Sequence, residues 1–116
     1  MGTGKRLKEL NSEIKVVAVE PDEPFHGIEG LKHIESSIKP KIFDEKFPDE
    51  TIYLKTEHAQ KEVLRLAKEE GIFVGTSSGA VSFASKTYQS PENFVVAIFA
   101  DQGTRYLSDK YLGGLS

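Results

Sequence analysis

Two kinds of apolar pattern alternate along the chain: unbroken runs, and stretches in which apolar residues return every three or four positions. The first periodic stretch is "TGKRLKEL", residues 3–10, where Leu7 and Leu10 sit three apart among good helix formers and Asn11 follows as a terminator. "KVVAVEP" then places Val16 to Val19 in an unbroken run, the pattern of a strand buried on both faces, stopped by Pro21. "TIYLK" predicts a second short strand. "TEHAQKEVLRLAKEEG" is the clearest helix, with Ala59, Val63, Leu66 and Ala67 at helical spacing, Thr56 as its cap and Gly71 where a left-handed residue ends it. "IFVG" predicts a brief strand, and "SSGAVSFASKTYQ" a helix capped by Ser77 or Ser78 with Val81, Ala84 and Ser85 on one side. "NFVVAIFAD" predicts a further strand from Phe94 to Ala100. Helices alternating with apolar strands imply an α/β fold, three-layered, with a mostly parallel sheet.

Between Pro21 and Pro48 the pattern breaks down into Pro, Gly, His and charge, with at most a helical turn near "SSIKP". Loops of that length inside compact domains tend to be functional or disordered.

Composition narrows the partners. The 116 residues, 38% hydrophobic, suffice for one compact core, and a net charge of −3 with charges of both signs spread along the chain gives no basic footprint for nucleic acid or a membrane surface. No window approaches a spanning helix and "MGTGKRLKEL" has no signal-peptide core, so neither nucleic acid nor membrane is an expected partner. The absence of cysteine excludes disulfides, thiolate metal sites and a cysteine nucleophile, and suits a cytoplasmic location.

Four features could carry chemistry. Gly2 and Gly4 with Glu20 imitate a dinucleotide fingerprint, but no strand precedes them, Leu7 takes the third glycine position and Pro21 follows the acid. His26, His33 and His58 lack the i, i+4 spacing of a helical metal site and read as loop or surface residues; no metal is expected. "DQGTRY" delivers Asp101, a Gly103 turn and Arg105 at the end of an apolar strand, which is either a ligand-binding edge or a turn with a local ion pair to Arg105. "GTSSGA" at a strand-to-helix junction offers backbone donors, two hydroxyls and a helix dipole, and reads either as an ordinary cap or as a site for a heteroaromatic nitrogen.

Together, "KVVAVEP", "EEGIFVGTSSGA" and "DQGTRYLS" resemble, in order and spacing, the C-terminal part of pyridoxal-phosphate enzymes of the tryptophan-synthase-β fold type, most closely the cysteine synthases (O-acetylserine sulfhydrylases). "GIEGLKHIESSIKPKIFD" resembles the B type of that group. The resemblance implies the cofactor pyridoxal 5'-phosphate (PLP), with Ser77 on the pyridine nitrogen, Gly75 and Gly79 keeping the backbone close to the ring, and Asp101 near the same end. It places Gly30, Leu31 and Lys32 in a substrate-facing loop, Lys32 toward a bulky or anionic sulfur donor or acyl substrate. The implied reaction makes L-cysteine from an activated serine, such as O-acetylserine, and a sulfur donor by β-replacement, in an enzyme whose intact relatives are homodimers. The family's cofactor-bearing lysine and phosphate loop lie upstream of the matching segment, and Met1 matches an internal residue. Residues 1–116 are therefore expected to be the C-terminal part of the large domain, a fragment with no catalytic residue of its own, inactive alone and prone to associate through an unpaired sheet. A related β-eliminating enzyme (cystathionine β-synthase or threonine dehydratase type) and a non-catalytic α/β interaction module are the alternatives.

Overall fold

The structure, a computed structural model, describes residues 1–115. Five regular elements follow in order: helix α1 (Gly2–Leu10), strand β1 (Val17–Pro21), strand β2 (Glu50–Leu54), helix α2 (Thr56–Arg65) and helix α3 (Thr76–Ser85), with short 3-10 turns between and after them. β1 and β2 pair in parallel, Val17 opposite Glu50 through Pro21 opposite Leu54, so the chain has the α/β architecture with a parallel sheet that the apolar pattern implies. Asp49 brackets the start of the pair: its carboxylate accepts the Val16 N–H at 2.7 Å, and its own N–H donates to the Val16 carbonyl at 2.8 Å.

The 28-residue stretch between the strands is ordered by three anchors. Thr56 Oγ1 accepts the Gly27 N–H at 3.0 Å, Glu20 Oε2 accepts the Ile34 N–H at 3.3 Å, and Ile28 is wholly buried against Leu54, Ala59 and Ala80. Its helical turn lies at Ile34–Ser36. Thr56 therefore does not cap α2, which begins after Lys55 with no side-chain cap; the hydroxyl that would have capped it is occupied by the loop.

The helix expected over residues 56–70 forms as α2 followed by a π-helical turn, Leu66–Glu70, that ends at Gly71 in the left-handed conformation, φ 68°. Its buried positions are Ala59, Glu62, Val63 and Leu66, the i, i+3, i+4, i+7 stripe of a helix facing a core. α3 packs on that stripe through small residues, with Thr76, Ser78, Gly79, Ala80, Ser82 and Ala84 all buried. Close approach is what the small residues allow: a Cβ on Gly79 would lie 2.5 Å from the Ala59 carbonyl oxygen. Val81 and Ser85 are only half-buried.

Glu62 is 2% exposed at this crossing and is fully paired. Arg65 reaches it with Nε (3.0 Å) and Nη2 (2.7 Å), Ser82 Oγ at 2.8 Å and Lys86 Nζ at 2.6 Å, so one carboxylate ties α2 to the far end of α3. A second core joins Val63 and Leu66 to Val74, Tyr106 and Leu112, drawing the C-terminal turns onto α2.

Two expected strands do not form ladders. "IFVG" contributes one antiparallel bridge, Val74 to Gln102, and Phe94 to Ala100 make no strand pairing among the described residues. An apolar run needs a neighbour on at least one edge to become a sheet strand, and Phe94–Ala100 has none among the described residues: it stands largely in solvent, with Phe94 94% exposed.

Candidate functional site

The Val74–Gln102 bridge brings the junction before α3 against the turn after Ala100. The Gly75 N–H donates to the Asp101 carbonyl at 3.3 Å, and the Gly103 N–H to the Phe73 carbonyl at 3.1 Å. Gly75 is then the residue before the first turn of α3, and a Cβ there would fall 2.1 Å from Asp101 Oδ1 and 2.7 Å from the Tyr106 ring. Glycine at that position is what lets the Asp101 carboxylate lie over the helix start. Neither Ser77 nor Ser78 caps α3, since both lie inside its first turn and Gly75 precedes it without a side chain.

Above this junction opens a cleft of about 380 Å³. Ser77 and Val81 of α3, Gly30 and Leu31 of the long loop, Ile98 and Ala100 of the unpaired segment, and Asp101, Arg105 and Tyr106 line it, with Glu29 at its margin. Gly30 has φ +89°, a left-handed backbone that favours glycine, and a Cβ on it would stand 3.7 Å from Ser77 Oγ. The loop therefore approaches the serine without covering it, and Ser77 Oγ has no hydrogen-bond partner among the described residues.

Of the expected site residues, Ser77, Asp101, Gly30 and Leu31 meet in this one cleft. Gly75 lies directly beneath it. Gly79 is one turn further along α3 and faces α2, and Lys32 is exposed outside the lining. The ion pair from Asp101 to Arg105 does not form. Asp101 Oδ2 instead accepts the Tyr106 hydroxyl at 2.5 Å, while Oδ1 is buried without a partner. Tyr106 is a cleft residue that the motif's Asp and Gly do not announce; the one signal for it in the sequence is its place five residues after Asp101 in "DQGTRY". The Thr76 and Tyr111 hydroxyls, 2.8 Å apart, brace the same helix start from behind.

Hydrogen bonding to Asp101, reinforced by burial, pushes the Tyr106 phenol up to about 12. Because the folded state keeps this proton more tightly, its contribution is complete below the ordinary phenol range near 10 and is lost as the pH rises toward 12. In an ultraviolet absorbance titration of the four tyrosines, Tyr106→Phe is expected to remove a phase that ionises near pH 12. Retention of that phase in the variant would place the hydroxyl away from Asp101.

The groups lining the cleft suit the ring end of a pyridine cofactor: the Ser77 hydroxyl, in the first turn of the ten-residue helix α3, and Asp101, whose Oδ1 is buried without a donor. The chain is 51% identical over 114 residues to a cysteine synthase of Aquifex aeolicus, covering 93% of this chain and 35% of that protein. It is 39% identical to cysteine synthase B of Pseudomonas aeruginosa over 93% of this chain and 36% of the relative. The crystal structure of the cysteine synthase from Entamoeba histolytica superposes with a TM-score of 0.86 at 36% identity, over 97% of this chain and 36% of that one. This chain is homologous to the cysteine synthases. It has the fold of their pyridoxal-phosphate class and spans about a third of the length of these relatives. No family model matches it.

Proposed function

We propose that residues 1–116 are the C-terminal part of the large domain of a B-type cysteine synthase, and that this segment supplies the ring-nitrogen end of its PLP site. The observation that carries the reading is the free Ser77 hydroxyl facing a cleft that Gly30 leaves open. Bound PLP would supply the electron sink for β-elimination and replacement on an amino acid. In this reading Ser77 Oγ–H donates to the pyridine nitrogen. A neutral hydroxyl at the positive end of α3 favours the unprotonated nitrogen, because it brings no negative charge to stabilise a pyridinium N–H. Tyr106 holds one oxygen of Asp101, so that the charge beside the ring stays in a fixed position. Gly30 and Leu31 bound the substrate side, and Lys32, just outside, meets an anionic sulfur donor or acyl group approaching in solution.

The proposed reaction makes L-cysteine from an activated serine and a sulfur donor. The completed enzyme is proposed to be a cytoplasmic homodimer, and the isolated chain to be inactive. The test is a graft of residues 1–116 in place of the matching segment of the Aquifex aeolicus enzyme. The graft is expected to bind PLP and form cysteine from O-acetylserine and sulfide. Ser77→Ala is expected to shift the absorbance of the bound cofactor and to lower turnover about tenfold, the worth of one such hydrogen bond. A graft that binds PLP but releases pyruvate without making cysteine would favour a β-eliminating relative, and an unchanged spectrum in Ser77→Ala would remove the serine from the ring.

A further inference from the structure

One wall of the cleft is carried by a single tight turn, Ile28 to Leu31. The Leu31 N–H donates to the Ile28 carbonyl at 3.4 Å, Gly30 has φ +89°, and among the described residues no side-chain-bearing residue has a positive φ. Those three facts describe a type II turn with glycine at its third position. Its first residue is the fixed one: Ile28 is wholly buried beside Leu54, Ala59 and Ala80, while Gly30, two residues on, stands exposed beside Ser77.

The peptide that leads into the turn is held by a histidine. The Ile28 N–H donates at 3.1 Å to the ring nitrogen Nδ1 of His26. The same device, a side chain accepting the N–H two residues ahead, recurs elsewhere in the chain. Asn11 Oδ1 takes the Glu13 N–H at 3.0 Å, Asp44 Oδ1 the Lys46 N–H at 2.9 Å and Ser90 Oγ the Glu92 N–H at 3.1 Å. Those three lie at exposed positions, whereas the His26 bond is partly buried and its turn lines the cleft. An imidazole accepts only through its unprotonated nitrogen, so this bond requires the neutral ring with its proton on Nε2. Without the bond the N–H of a buried residue has no partner, and the peptide joining Gly27 to Ile28 is free to tilt, taking Gly30 and Leu31 with it.

We infer that His26 is a positioning residue for the candidate site: by holding the Ile28 N–H, its Nδ1 sets how far the Gly30–Leu31 wall stands from Ser77, and so the room left for an amino-acid substrate. His26 does not itself line the cleft. It acts through the backbone of the turn, not as an acid or a base. That a substrate occupies this room rests on the cysteine-synthase reading above; the bond and its hold on the wall do not.

Two measurements test the inference separately. In the chain itself, imidazole 15N NMR shows which ring nitrogen of His26 carries the proton, and the neutral ring is expected as the Nε2–H tautomer. The Ile28 amide is expected to exchange about fivefold faster in His26→Leu, and within about twofold of the parent in His26→Asn, whose side-chain oxygen can accept as Asn11 does. An Nδ1–H tautomer, or an Ile28 amide indifferent to His26→Leu, overturns the inference whatever reaction the site performs. In the Aquifex aeolicus graft, His26→Leu is expected to raise the KM for O-acetylserine about fivefold, and His26→Asn to bring it back to within about twofold. The turnover number and the absorbance of the bound cofactor are expected to stay nearly unchanged, because Ser77 and Asp101 are untouched. A fall in turnover at constant KM, or a raised KM that asparagine does not restore, overturns the positioning role. An inactive graft counts against the cysteine-synthase reading, while the tautomer and the Ile28 exchange rate still decide whether His26 holds the wall.

Discussion

Glu62→Ala is expected to destabilise the chain by about 2 to 3 kcal/mol in urea titrations, a large share of the roughly 5 to 15 kcal/mol that holds a domain of this kind together. The carboxylate is buried at the crossing of α2 and α3 and receives four hydrogen bonds from Arg65, Ser82 and Lys86. Removing one partner of a buried ion pair strands the others, at a cost near 3 to 5 kcal/mol when they too are buried. Arg65 and Lys86 are partly exposed and can turn to water, which puts the loss at or below the lower end. A loss under about 1 kcal/mol would show that the crossing is held by packing alone.

The same residue predicts an acid limb. Burial pushes the Glu62 carboxyl up, but the hydrogen bonds from Arg65, Lys86 and Ser82 outweigh it and hold the group down at about 2. A depressed carboxyl stabilises the fold above its ordinary value of 4.5, and that contribution disappears as the pH falls from there toward 2. The parent chain is expected to lose stability over this window, and Glu62→Ala to lose correspondingly less.

Gly79→Ala is expected to be the second large effect, with a net loss of about 2 kcal/mol. Helix propensity alone predicts the opposite sign, since alanine gains about 1 kcal/mol over glycine inside a helix. Here the new Cβ would stand 2.5 Å from the Ala59 carbonyl oxygen and 2.6 Å from Val63 Cγ2. Val63 can adjust its rotamer, but the carbonyl belongs to the α2 backbone and moves only if the helices separate. Overpacking of that kind costs about 1 to 3 kcal/mol, more where backbone must yield, and exceeds the propensity gain. A rise in the urea midpoint would mean that α2 gives way freely, and would remove close helix contact as the reason for glycine at this position.

The contrast between Gly79 and Glu62 shows what could be read from the chain in advance. The apolar stripe of α2, the left-handed stop at Gly71 and the parallel pairing implied by β1 all follow from local spacing, and local spacing survives folding. Glu62 lies on the same stripe three residues after Ala59, yet a reading that counts only apolar positions passes over it, because its partners Ser82 and Lys86 are twenty and twenty-four residues away. The cleft was legible as separate motifs: "GTSSGA" offered the hydroxyl pair Ser77 and Ser78, between which only the resemblance chooses, "DQGTRY" offered Asp101, and the bridge from Val74 to Gln102 is what joins them. Gly30 and Leu31 came from resemblance alone, since a loop of 28 residues has no period from which to place it; the anchors through Thr56 and Glu20 that fix it are long-range. "NFVVAIFAD" has the composition of a strand, and it stays unpaired because pairing depends on a neighbour that no local pattern within the segment supplies.

Those seven apolar residues, Phe94 to Ala100, have a further consequence for the chain in solution. Uncharged, free of proline and rich in β-branched and aromatic side chains, they meet the description of a cross-β template. Glu92 and Asp101 stand just outside the two ends as gatekeepers, and nothing within the run itself opposes stacking. The one apolar run that, among the described residues, stands unpaired in solvent is thus also the stretch through which copies of the chain can stack into a fibril, so its aggregation rises steeply with concentration.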